Sequence, residues 1–144
     1  MMKLLEHAGK KPAHIEKDVA GFVGNRLQHA LWREAIALVN DGVCSAQTLD
    51  MVVKNSFGMR LPVLGPIENA DLVGLDLTLD IHNVILPTLN RDKQPSAILG
   101  EKIANQELGV KTYQGFKQWT PGSVAELRKT LSEHLVKATS KHEA

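Results

Sequence analysis

The stretch Leu75–Asn90, "LDLTLDIHNVILPTLN", decides between a sheet protein and a helical one. Its first eight residues alternate apolar and polar, the pattern of a half-buried strand. The alternation fails at Val84, Ile85 and Leu86, which run together, while Asp76, Asp80 and Asn83 recur at i, i+4 and i+7. That recurrence is one polar face of a helix. The spacing therefore predicts a helix from about Asp71 to Leu89, kinked or ending near Pro87, and the chain is expected to be all-α.

The flanking segments agree. From Gly21 to Asp41, Val23, Leu27, Leu31, Ala35 and Leu38 form one stripe, widened by Phe22, Ala30, Ile36 and Val39, with Gly42 as the terminator. A helix apolar over so much of its circumference must pack on more than one side. Ser45 is the expected N-cap of a second helix reaching about Asn55, which makes a helical hairpin. "FGMRLPVLGPIENADLVG" (57–74) mixes Gly58, Pro62, Gly65 and Pro66 with apolar residues, so it reads as a loop lying against something, with Pro66 opening a helix and Glu68 and Asp71 near its positive end. A helix from Ser96 to Leu108 is bounded by Pro95 and Gly109. Tyr113, Phe116 and Trp119 fall on an irregular segment packed over the core. Thr120-Pro121 and a capping box from Ser123 to Glu126 open a last helix with an inner stripe of Leu127, Leu131 and Leu135.

The first residues differ in kind. Met1 to Ala8 reads as a short helix stopped by Gly9, and His14–Lys17 reads as one extended strand after Pro12. A single strand needs partners, and the rest of the chain offers none, so residues 1–19 are expected to be a remnant of another domain plus a junction, with residues 20–144 a helical domain.

With 144 residues, 43% of them hydrophobic, one domain is expected to bury about 70% of its unfolded surface around a core. Seventeen Lys and Arg balance 16 Asp and Glu to a net charge of +1, dispersed along the chain, so nucleic acid is not the expected partner. No apolar run approaches the roughly 20 residues that cross a bilayer, and the opening apolar stretch is too short for a signal peptide; a soluble, cytoplasmic protein without a membrane partner is expected. Cys44, the single cysteine, reads as a buried or partly exposed inert thiol.

Candidate chemistry is sparse. The histidines, at positions 7, 14, 29, 82, 134 and 142, show no HxxxH or HExxH spacing and have no CxxC to join, so no metal site is expected. Neither GxGxxG nor a P-loop pattern occurs, so this chain is not expected to bind a dinucleotide by itself. No GxSxG elbow favours a nucleophilic serine. What stands out is "DVAGFVGNRL" (18–27), where Gly24 and Asn25 sit side by side just inside a long helix. In a helix interior the pair gives up roughly 1.5 kcal/mol of propensity relative to Ala. Two readings remain open: Gly24 permits close packing while Asn25 bonds a neighbouring loop, or Asn25, a neutral donor and acceptor, projects into a polar reaction site.

"KKPAHIEKDVAGFVGNRLQHALWREAIALVNDGVCS" resembles the junction and first helix of the C-terminal domain of NAD-dependent 3-hydroxyacyl-CoA dehydrogenases, a family that includes lambda-crystallin-like and related hydroxyacid and carnitine dehydrogenases. "GMRLPVLGPIENADLVGLD" is similar to the family's glycine-proline-acidic segment and AD-x-x-GLD run, and "KTYQGFKQWTP" to its G-K-G-F-Y-x-(Y/W) tail. Three ordered motifs span residues 11 to 121.

The resemblance implies a two-domain oxidoreductase of fatty-acid β-oxidation type. An N-terminal Rossmann-like domain would hold NAD and a catalytic histidine-glutamate pair, and the helical domain would close the substrate site and form the homodimer. The complete enzyme would move a hydride from C3 of an L-3-hydroxyacyl-CoA, or a related 3-hydroxy acid, to NAD while a histidine base takes the hydroxyl proton. The family's substrate-facing asparagine falls on Asn25. The histidine-glutamate pair and its H-F-F-N-P-like context have no counterpart here, so the chain alone is expected to be inactive and without bound NAD, a fragment or a separately encoded half. Arg26 is placed to meet a CoA phosphate, although its helical neighbours favour a salt bridge or the cap of an adjacent loop. "MRLPVLGP" is longer than the fatty-acid enzymes' version, which points to the lambda-crystallin-like branch. The competing expectation is a non-enzymatic helical dimerisation or acyl-binding module, and the reading frame upstream of Met1 discriminates between them.

Overall fold

A computed structural model describes residues 1–140; residues 141–144, His142 among them, lie outside the described residues. The elements are α1 (Met2–His7), α2 (Phe22–Asn40), α3 (Ala46–Asn55), α4 (Pro66–Val73), α5 (Leu75–Ile85), α6 (Ala97–Ala104) and α7 (Pro121–Ser140), with single 3₁₀ turns at Phe57–Met59 and Leu86–Thr88. Among the described residues there is no strand, only isolated bridges joining Gly109 to Gln114 and Gln114 to Gln118. The fold is all-α. The strand expected over His14–Lys17 is not formed, because an extended segment needs a neighbouring strand for its backbone hydrogen bonds and none is present among those residues. The chain divides into two compact units, Met1–Trp32 and a second beginning at Arg33.

Local sequence explains most boundaries. Gly42, at φ +70°, closes α2 in a Schellman motif: its N–H donates to the Val39 carbonyl at 3.2 Å and the Val43 N–H to that of Leu38 at 3.0 Å. The Ser45 hydroxyl accepts from the Thr48 N–H at 3.1 Å, capping α3. Pro66 opens α4, and Glu68 reaches back to accept the Gly65 N–H at 2.7 Å.

Three boundaries depart from expectation. The single helix from Asp71 to Leu89 is two helices, broken at Gly74, whose φ of +101° no L-residue adopts easily and whose added Cβ would lie 2.8 Å from the Asp76 carboxylate. Asp71 accordingly lies within α4 rather than at the start of the later helix. Helix α6 stops at Ala104 instead of Leu108: Gln106 takes φ +59°, and its N–H and that of Glu107 donate to the Ile103 and Lys102 carbonyls at 3.1 and 2.8 Å. That is a Schellman ending without glycine. The capping box of α7 lies one turn earlier than Ser123–Glu126. Thr120 and Ser123 bond reciprocally, each N–H donating to the other's hydroxyl, at 2.9 and 3.1 Å. Pro121 lacks an N–H and is best placed at the first helical position, which makes Thr120 the cap.

The expected core is not formed among the described residues. Among the described residues Val124, at 8% exposure, is the one buried hydrophobic side chain. In the second unit the half-buried residues run along the later part of α2, Glu34 to Val39, and recur at Leu49, Val53, Leu64, Leu89, Ile98, Leu99 and Trp119. The closest element packing joins sequence neighbours, α3 with the turn after it, α4 with α5, and α5 with its own following turn. Composition supplies enough apolar surface for a core, but helices that meet mainly their neighbours leave their remaining apolar faces exposed.

Candidate functional site

Asn25 lies in the first unit, on the opening turn of α2. Gly21, at φ +81°, and Phe22, at φ +51°, turn the chain into the helix. A bulky residue in the left-handed region is a strained conformation costing on the order of 1–3 kcal/mol. The Phe22 N–H donates to the Val19 carbonyl at 3.0 Å. Gly24 and Asn25 are thus the third and fourth helical residues, among the N–H groups that have no intrahelical acceptor. The interior propensity penalty applies there only in part, so poor helix formers at this position are less costly than their sequence context suggests.

Neither packing contact is made among the described residues. A Cβ on Gly24 would meet nothing within 4 Å, and the Asn25 side chain is exposed and makes no hydrogen bond among the described residues. Arg26 donates from Nη1 to the Ala20 carbonyl at 3.5 Å, the cap of an adjacent loop. One and two turns on, the His29 ring meets Trp32 edge-on, centroids 5.0 Å apart.

The second unit carries a separate, mainly apolar cavity of about 360 Å³. Ile36 and Val39 of α2, Leu49 of α3, and Val110, Phe116 and Trp119 of the segment after α6 supply its walls. Tyr113, expected to pack with them, is exposed instead, at φ +58°. At the rim the Lys117 ammonium donates to the Asp50 carboxylate and lies 5.8 Å from the Trp119 ring centroid. Behind this wall, Lys102 donates to the Glu107 carboxylate at 2.7 Å and to the Gly115 carbonyl at 3.0 Å, and lies 5.2 Å from the Phe116 ring centroid. Gly115 stands so close to Gly109 that a Cβ would lie 2.8 Å from the Gly109 Cα. On α2, Glu34 accepts the Asn90 N–H at 2.7 Å, tying the helix to the segment after Leu89.

Sequence reasoning missed Glu34, Asp50, Lys102 and Lys117. Each looks like an ordinary charged residue, and the partners are 56, 67 and 13 positions away for the Glu34–Asn90, Lys117–Asp50 and Lys102–Gly115 contacts. Cys44 is half-buried, as expected. Among the described residues no three His, Cys, Asp or Glu side chains are grouped as a metal ion would need, and no helix is long and apolar enough to cross a membrane.

The family model for the 3-hydroxyacyl-CoA dehydrogenase C-terminal domain matches residues 21–119. The chain belongs to this family. The 5-formyl-3-hydroxy-2-methylpyridine 4-carboxylate 5-dehydrogenase of Mesorhizobium japonicum is 34% identical over 134 residues, 92% of this chain and 43% of that protein. The L-carnitine dehydrogenase of Oceanobacillus iheyensis is 36% identical over 129 residues, 88% of this chain and 41% of that one. A crystal structure of a 5-formyl-3-hydroxy-2-methylpyridine 4-carboxylic acid 5-dehydrogenase, described as an NAD⁺-dependent dismutase, superposes with a TM-score of 0.87 at 30% identity, over 98% of this chain and 45% of that one. The chain thus spans less than half the length of these relatives. The match begins at Gly21, at the turn that leads into the helix carrying Asn25.

The residues present do not fit a dinucleotide. The phosphate cradle of NAD-binding domains is a glycine-rich turn between a strand and a helix, and no such unit exists among the described residues.

Proposed function

We propose that the chain works as the C-terminal, substrate-closing and dimerising domain, residues 20–144, of an NAD-dependent dehydrogenase that oxidises an L-3-hydroxyacyl-CoA or a related 3-hydroxy acid to the 3-keto product. Residues 1–19 then belong to the junction with an N-terminal Rossmann-like domain, which holds NAD and the catalytic histidine-glutamate pair. The observation that carries this reading is the family match over residues 21–119 with Asn25 exposed and unpaired at its start. A carboxamide at that position makes no contact among the described residues and offers two N–H donors and an acceptor oxygen with no net charge. Those properties suit a group that orients the substrate oxygen from a helix terminus. The half-exposed apolar helices supply the surface a homodimer covers.

The test is NAD reduction by the complete protein, offered 3-hydroxyacyl-CoA thioesters and free 3-hydroxy acids, L-carnitine among them. Turnover of at least one class is expected. A complete protein that reduces NAD with neither class contradicts the proposal.

A further inference from the structure

The part of α2 that lies in the first unit has two unlike faces. With Asn25 as the reference and about 100° per residue, Val23, Leu27 and Leu31 fall roughly 160–240° round the helix and form its aliphatic stripe. His29 falls about 40° to one side of Asn25 and Trp32 about 20° to the other, away from that stripe. These two rings therefore stand on the face that the helix does not offer to an aliphatic core.

Trp32 is 49% exposed, and Asn25 and His29 are exposed with it. The His29 and Trp32 rings meet at an interplanar angle of 73°, so the pair forms one aromatic surface. Helical side chains lean toward the N-terminus, which brings the Trp32 indole, whose Cα is about 10 Å along the axis from that of Asn25, back over the turn carrying His29.

Charge narrows what this strip receives. Between Phe22 and Trp32 there is no Asp or Glu, and Arg26 is the one fixed charge. A quaternary ammonium, which an indole face attracts, would meet that charge with no carboxylate to offset it. An aliphatic chain would gain contact area alone. A flat unsaturated ring, uncharged or anionic, gains edge and face contacts besides and meets no like charge.

Resting on the function proposed above, we infer that Trp32 and His29 are specificity-determining residues that select a 3-hydroxy acid, or its thioester, whose carbinol carbon bears a planar aromatic ring. Asn25 meets the reacting oxygen at the head of α2, and the ring extends along the helix over His29 and against the Trp32 indole. Oxidation breaks the C3–H and O–H bonds of this substrate, the hydride passing to NAD⁺ and the proton to the base, and leaves a 3-aryl-3-keto product.

The test compares kcat/KM of the complete protein for 3-hydroxy-3-phenylpropanoate and for 3-hydroxynonanoate, of equal carbon count, each as free acid and as CoA thioester. A ratio of about ten or more in favour of the phenyl compound is expected. Trp32→Leu should lower that ratio about tenfold, whereas Trp32→Phe should keep most of it; a merely structural tryptophan would alter both substrates alike. His29→Leu should lower the ratio in the same direction, and it decides the matter if Trp32→Leu is unfolded by circular dichroism. Turnover without a phenyl preference, a preference for L-carnitine over both compounds, or an unchanged ratio in the folded variants overturns this inference and leaves the proposed function standing. Absence of NAD reduction with every one of these substrates overturns the proposed function and this inference with it.

Discussion

In the complete enzyme, Asn25→Ala is expected to lower kcat about 100-fold while changing folding stability by less than about 0.5 kcal/mol. The two halves of this expectation have separate grounds. Stability should hardly move because the side chain is exposed and without a hydrogen-bond partner among the described residues, and surface substitutions of that kind usually stay within about ±0.5 kcal/mol. Helix propensity would by itself favour Ala by up to about 0.7 kcal/mol in a helix interior, and by less at the first turn. Turnover should fall because removing one oriented donor from a reacting oxygen costs on the order of 10²- to 10³-fold. Asn25→Asp sharpens the test, since a carboxylate accepts but does not donate; it should be about as slow as Ala despite keeping the shape. Steady-state kinetics and urea denaturation on the same three proteins decide the matter. Unchanged kcat in Asn25→Ala makes Asn25 a surface residue of α2.

The second large effect is on stability. Lys102→Met should destabilise the second unit by about 2–3 kcal/mol, read by urea unfolding. Lys102 joins three groups far apart in conformation: the Glu107 carboxylate, the Gly115 carbonyl and the face of Phe116. Hydrogen bonds to charged groups contribute about 1.5–3 kcal/mol, and a part-buried acceptor left without its donor adds a desolvation cost. Met preserves most of the stem and its packing, so the loss reports on the ammonium rather than on volume. Because Lys102 holds the segment that carries Phe116 and Trp119 against the cavity, tryptophan fluorescence should change before global unfolding. A stability change below about 0.5 kcal/mol would show that the Gly115–Gly109 approach holds this segment without the lysine.

How much of this is legible in the sequence follows from the range of each interaction. The boundary between α2 and α3 is readable because its signals are local: Gly42 supplies the positive φ of a Schellman ending, and Ser45 stands three residues before the N–H that it caps. The Asp71–Leu89 stretch is read correctly as helical from its 3.6-residue period, but the break at Gly74 is not, since a lone Gly is tolerated inside many helices and only its φ of +101° reveals the joint. Gln106 is missed for the mirror-image reason. A residue with no special turn preference adopts φ +59° because the turn around it, with Lys102 bonded to Glu107, holds it there.

The core is where composition misleads most. It counts apolar residues without regard to which chain covers them, and Leu75, Leu79, Leu131 and Leu135 read equally well as core or as interface. Asn25 stands out in the sequence for a different reason: it goes against a local preference, though less on a first turn than in a helix interior, and makes no compensating contact among the described residues.

The most direct test of the central claim compares NAD-linked turnover by the complete protein with that of the 144-residue chain, on the same hydroxyacyl or hydroxy-acid substrate and with calorimetric titration of NAD into each. The account predicts binding and turnover in the complete protein and neither in the chain; turnover by the chain alone would contradict it.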